Sequence, residues 1–356
     1  MDATRRIALL GDQKGFALVY IALLIFVLFG TLGLAVDISH LYVVRGELQN
    51  CADAAALAGA WSLYRDPANP GATPTLDFER ARAAAASYIQ QNSSDGVALS
   101  DGNIEVGYWS RLDPEAPLSP VKNDPANQRE AVRVTVSRSS GNNGGPVGNF
   151  FIKVLDATKD KTPVSSRPSV ALSGYIGGVP GGQAFPIALS SCMTDYYFLH
   201  SHSDPPPTFK TNTPYTPVGT PCETAQWTSL TENTNADRVI SDFMKYPDTS
   251  PALSSGESIW IATGVMNNLF NNKNAGAYVG KNVIVPIVTG DTGVLSKSST
   301  NGQMPIQGFA TIHIVSVKNG SNPYVEAYFV DYSVTYPGTQ PGGSVSNTVS
   351  PPLIVQ

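Results

Sequence analysis

FALVYIALLIFVLFGTLGLAV, residues 16–36, holds 21 consecutive positions without a charged side chain. At about 1.5 Å per residue such a helix reaches about 31 Å, enough to cross a hydrocarbon core of about 30 Å. Phe16, Leu18, Leu24, Phe26, Leu28, Leu34 and Val36 are its anchor residues. Arg5, Arg6 and Lys14 precede the run, whereas the stretch after it offers only Arg45. That asymmetry keeps the N-terminus in the cytoplasm and sends everything from Asp37 outward, as a single-pass protein. A cleaved export signal is the rival reading, with Gly33-Leu34-Ala35 as its small-residue site. Two features oppose it: signal cores run to about 7–15 residues, and here the helical pattern continues past the membrane.

Beyond Asp37, apolar or small residues recur as Leu41, Val44, Leu48, Cys51, Ala55 and Ala58, the spacing of one helix face. No proline stops the pattern before Pro67, so the spacing predicts one rod from Phe16 to about Leu63, roughly 70 Å long. Leu48, Cys51, Ala52, Ala55, Ala58 and Gly59 form a packing surface whose small side chains let a second backbone come close. Its occupant is either residues 77–91 of the same chain, which read as the second helix of a hairpin, or a neighbouring copy, which would make the chain a homo-oligomer through this helix.

Past the hairpin the period changes to two, in Ile104, Val106 and Tyr108, then in Val132, Val134 and Val136, and again near Val170 and Leu172. The glycine cluster 174–182 reads as a linker. After it, residues 283–288, 309–317 and 325–332 read as strands and residues 236–245 and 264–270 as short helices. The expected fold is α+β: a long N-terminal transmembrane helix extended into a helical hairpin, then antiparallel-sheet domains. The divisions are a cytoplasmic leader at 1–15, the helix at 16–63, a first exported α+β domain at 64–178, a second strand-rich domain at 179–335 and a flexible tail at 336–356. Charged residues make up only 14% while Gly and Pro number 32 and 27, which fits many turns and little further helix.

With a net charge of −5 and no run of basic residues interleaved with aromatics, nucleic acid is excluded as a partner. Cys192 and Cys222 flank a Pro-rich loop in an exported, oxidising setting, which points to a disulfide between them. Cys51 is then left over, either as a small buried residue or as a link between subunits. His200 and His202 lie near Asp195, Asp204 and Cys192, but closed zinc spacings are absent and no metal is assigned. The sequence lacks Gly-x-Ser-x-Gly, a phosphate-cradling loop, His-Glu-x-x-His and Cys-x-x-Cys; no enzyme and no cofactor are expected.

Residues 15–19 (GFALV), 32–37 (LGLAVD), Leu41-Tyr42 and 47–60 (ELQNCADAAALAGA) resemble the N-terminal region of the TadG-like family of Flp pilus-assembly proteins. Later portions look like it too: 106–109 (VGYW), 131–136 (AVRVTV), Phe150-Phe151 and 169–172 (SVAL). The resemblance implies a bacterial inner-membrane protein with its body periplasmic or extracellular, and other pilus-assembly proteins or pilins as partners. Longer members carry a von Willebrand A domain with an Asp-x-Ser-x-Ser metal site; Asp37-Ile38-Ser39 lacks the second serine, so the domain is not expected here. Gly15-Phe16 looks like a prepilin-peptidase junction, although the fifth residue after it is Tyr20 where pilins have glutamate. Two further readings therefore stay open beside the assembly protein: a minor pilin cut after Gly15, and an exported adhesive or ligand-binding domain on a tether.

Overall fold

The computed structural model describes residues 13–65, 75–125, 127–194, 197, 205–211, 214–215, 222–223, 225–262, 267–288, 302–330, 336–344, 346 and 349–355. The helices α1 (Gln13–Ser62) and α2 (Phe78–Gln90) come first, followed by β1 (Asn103–Ser110), β2 (Gln128–Thr135), β3 (Val147–Gly148), the single turn α3 (Ile152–Leu155), β4 (Lys161–Thr162) and β5 (Ser169–Leu172). Then come β6 (Ile176–Val179), β7 (Ile187–Ser190), β8 (Ala225–Leu230), α4 (Asp237–Lys245), β9 (Ser258–Ile261), β10 (Asn282–Val288), β11 (Gln303–Lys318), β12 (Tyr324–Phe329) and β13 (Leu353–Val355). The fold is α+β, with the long apolar helix leading into β-rich structure.

The chain divides into two compact units, Met1–Ala55 with Ala85–Ile104 and Val134–Ser169, and Ala56–Ala84 with Glu105–Arg133 and Val170–Gln356. These boundaries fall inside α1, α2, β1, β2 and β5. The first unit holds most of α1, the end of α2 and the β3–α3–β4 hairpin. Its helix is unbroken because nothing between Gln13 and Ser62 removes a backbone donor.

In the second unit α1 ends under a single side chain. The last carbonyls of a helix lack intrahelical donors, and here Arg80 supplies them: Nε donates to Ser62 O at 2.9 Å and Nη2 to Leu63 O at 3.3 Å. Nη2 also donates to Thr75 O at 2.8 Å, and Nη1 pairs with Asp77 at 3.3 Å. The guanidinium therefore joins the end of α1 to the start of α2, and Asp77 N–H adds a bond to Leu63 O at 2.8 Å.

The largely antiparallel sheet of the second unit closes into a barrel. β7 pairs with β8, β8 with β9, β9 with β11 and β11 with β10, all antiparallel, while β10 returns to β7 in parallel. A ring of five strands cannot alternate direction all the way round, so one parallel pair is a necessity of closure. β11 makes this possible by its length of 16 residues: its start pairs with β9, its middle with β10 and its end with β12. Both faces are buried, Ile284, Val288 and Phe309 on one and Val283, Val285, Ile287, Ala310 and Ile312 on the other. For that reason β10 reads as a continuous apolar run without alternation.

Two expectations change. The glycine cluster is no linker: β6 is a central strand between Leu253–Ser254 and Gln340–Pro341. A Cβ on Gly177 would collide with the backbone of Gly342 and Gly343, so glycine there serves close approach. Nor is the tail loose where it is described. Leu353–Val355 pair with Val170–Leu172, Val349 bridges Tyr175, and Arg65 donates to Val349 O at 3.3 Å. The expected strand at 325–332 is present as β12, and the expected helix at 264–270 is a 3-10 turn over Asn267–Phe270; residues 331–332 and 264–266 lie outside the described residues.

Replacing Arg80 with Ala should lower stability by about 1–3 kcal/mol, since two helix-end carbonyls lose a charged donor. Denaturant titration of the detergent-solubilised protein checks this, with the exposed Arg82→Ala as the control that should change little.

Candidate assembly interface at the membrane exit

Between Phe16 and Leu32 every α1 side chain is exposed, as lipid contact requires. At Gly33 the pattern changes, and a buried stripe begins: Gly33, Asp37, Val44, Leu48, Cys51, Ala52, Ala55 and Ala56. The spacing of three and four residues keeps the stripe on one face. The expected packing surface overlaps this stripe at Leu48, Cys51, Ala52 and Ala55. Leu48, Cys51, Ala52, Ala55 and Gly59 are buried and Ala58 is half-buried, all covered by the chain itself.

Three polar latches fasten the rest of the first unit to α1, the second nearly three turns beyond the first and the third within a turn of the second. The lowest is Asp37. Its carboxylate is fully buried and accepts three backbone N–H groups, from Phe150 at 2.7 Å, Phe151 at 2.9 Å and Ile152 at 2.6 Å. Burying an ionised carboxylate is tolerable only with such charge-assisted bonds. One turn lower, Phe151 packs against Gly33, where a Cβ would stand 2.8 Å from the ring. Asn149 closes the hairpin behind them: its N–H donates to Asp160 O at 2.8 Å and its side-chain amide to Lys159 O at 2.8 Å and Thr162 Oγ1 at 2.9 Å.

The second latch centres on Glu47, which accepts from Asp95 N–H at 2.8 Å and Ser94 Oγ at 3.1 Å. Arg138 donates to Ser94 O at 3.2 Å and pairs with Asp95 at 3.3 Å, while His40 Nε2 lies 3.0 Å from the same carboxylate. In the third latch Gln49 bridges Asp53 at 2.9 Å and Ser169 at 2.8 Å and accepts from Arg167 N–H at 2.9 Å. Ser169 Oγ in turn donates to Asp53. A cleft of about 410 Å³ opens between the first two latches, lined by Ile38, Leu41, Tyr42 and Arg45 of α1 and by 162–165.

Of the other predicted residues, Phe16, Leu18, Leu24, Phe26, Leu28, Leu34 and Val36 are exposed on α1, and Gly15 and Phe16 belong to its first turns. Cys192 sits in a 3-10 turn, Ser191–Met193; the side chain of Cys222 lies outside the described residues, as do Asp195, His200, His202 and Asp204. Cys51 is a free, buried thiol whose pKa burial pushes up to about 11. It is therefore poorly placed to link subunits. The latches escaped sequence reasoning, because Asp37 and Phe150 are 113 positions apart; the only signal was a lone acidic residue ending an apolar run.

The matches to known proteins fall on this same region. A TadE/G-like Flp pilus-assembly family matches residues 15–62, and a second, Tad-like Flp pilus-assembly family matches residues 58–166. Residues 15–166 are thus similar to Tad-like Flp pilus-assembly proteins. No curated protein and no solved structure matches the chain. The Asp37 and Glu47 latches, and the hairpin that Asp37 holds, lie wholly within the Tad-like stretch, and the barrel lies beyond it.

Asp37→Ala should cost on the order of 2 kcal/mol, by leaving three donors without their acceptor, and should raise hydrogen exchange at Phe150–Ile152 while the Glu47 latch stays protected. Cys51 should resist maleimide at neutral pH in the folded protein and react only on unfolding, because the thiolate is scarce and covered; timed labelling with mass readout decides it.

Proposed function

We propose that this Tad-like protein is held in the bacterial inner membrane by α1, N-terminus in the cytoplasm, and acts in Flp pilus assembly by binding and positioning pilus or secretion-apparatus proteins. The observation that supports this best is the exposure of α1 on all sides from Phe16 to Leu32, joined without a break to a stripe that the chain itself covers. The bare part is free for lipid and for the apolar helices of partners. The alanine face is already occupied, so self-association through it would require the seam to open. Partner contacts outside the membrane fall instead to the flank of α1, where Tyr42 and Val43 are exposed beside the Arg45 cleft. A pairing of Cys192 with Cys222 would close the intervening loop outside the cytoplasm.

The minor-pilin reading is favoured by one observation, the Gly15-Phe16 junction ahead of the bare helix. Mass spectrometry of the mature chain separates the two: an intact leader is expected, whereas Phe16 as first residue would make the chain a filament subunit. In pilus-producing cells a photo-crosslinking residue at Leu24 or Tyr42 should form adducts identified by peptide mass as pilin or another Tad component, and one at Cys51 should not. Absence of such adducts from both exposed positions would overturn the positioning role. Non-reducing peptide mapping should recover Cys192 joined to Cys222.

A further inference from the structure

Four large apolar side chains stand exposed together in the hairpin that Asp37 holds. Phe150 is 54% exposed, Phe151 48%, Val154 78% and Leu155 63%. Such a cluster in water is costly, and contiguous apolar patches mark interaction surfaces. Its position says what it meets. Phe151 packs on Gly33 and the backbone of Phe150–Ile152 is bonded to Asp37, so the cluster stands level with the last turn of the apolar run. Residues 16–32, the bare part of α1, reach only about 25 Å, short of a hydrocarbon core of about 30 Å. The turn Gly33–Val36 is needed to complete the crossing, and that turn is the one the hairpin touches.

We propose that Phe150–Leu155 is a second membrane contact, a wedge that enters the outer interface of the bilayer beside the span. The inference rests on reading α1 as the membrane span. Lipid is the occupant because the wedge is continuous with the lipid-facing surface of α1 at Leu32, Leu34 and Val36, all exposed. Lys153 lies between the apolar residues, and Lys159 and Lys161 follow; all are exposed. Their stems can lie along acyl chains while the ammonium groups reach headgroup phosphates. The two acidic side chains nearby are Asp156 and Asp160, both exposed, and Asp156 accepts locally from Thr158 N–H at 2.9 Å and Oγ1 at 2.6 Å. α3 is one turn long, so the device is a wedge, not an amphipathic helix.

The test uses the full chain in phospholipid nanodiscs, with an environment-sensitive fluorescent amino acid placed at Leu28, at Val154 or at Tyr88 in separate preparations. The chain after α2 meets α1 at Glu47, so position 88 lies farther from the membrane exit and reports water. Quencher-bearing lipids should remove emission at 28 and at 154, the latter most strongly when the quencher sits near the top of the acyl chain, with a blue shift at both and neither effect at 88. Quenching at 28 with emission at 154 like that at 88 would overturn the wedge and leave the span standing. Loss of quenching at 28 would overturn the span, and the wedge with it.

Discussion

A helix that leaves a bilayer must pass from one solvent to another without giving up its hydrogen bonds, and in α1 the change from exposure on all sides to burial on one face falls in the turn from Gly33 to Asp37. Below it, side chains are exposed on every side and apolar, as contact with lipid requires. Above it, one face must meet protein closely enough to exclude water. Gly33 provides the approach by having no side chain where Phe151 packs. Asp37 provides the hold, because a carboxylate with three N–H donors is far harder to pull away than an apolar contact of the same size. Place either residue a position along and it would turn about 100° away from the hairpin.

The higher latches extend that logic. Alanine faces pack closely but contribute little buried area each, so Ala52, Ala55 and Ala56 specify their register weakly. Directional bonds remedy this: Glu47 can accept from Ser94 and Asp95 in one register only, and Gln49 joins Asp53, Ser169 and Arg167 with both ends of its amide. Arg80 performs the same office at the helix end by closing carbonyls that no further turn will satisfy. Small residues set the distance, and polar groups set the position.

Legibility in the sequence follows from whether a feature is local. The span, the continuation to Ser62 and the second helix were readable because charge absence and helical period are properties of neighbours. β10, β11 and β12 were visible as apolar stretches for the same reason. Barrel closure was not, since pairing of β10 with both β7 and β11 depends on strands far apart in the chain. The glycine cluster misled because glycine marks both flexible linkers and backbones in close approach, and only the neighbouring Gly342 and Gly343 distinguish the two. Pro- and Gly-rich composition misled in the tail, where Leu353–Val355 find an edge at β5. As for the latches, a buried carboxylate looks in sequence like any exposed one.

The absence of a hinge at the membrane exit bears on which role suits the chain. A tether for an adhesive domain works best when the domain can swing, and swinging needs a linker of glycine, serine or proline between anchor and body. Among the described residues of the first unit no such linker is present: α1 continues from its bare apolar part into the protein as one hydrogen-bonded rod, and its first latch is formed at the turn where the apolar run ends. Any rotation of the rod about its axis must carry with it the hairpin and the segment at Ser94–Asp95, because three bonds at Asp37 and two at Glu47 would otherwise break. Orientation in the membrane is thereby converted into orientation of the surface around Tyr42 and Arg45. A protein that positions others gains from that coupling, whereas a protein that searches for distant ligands would lose by it.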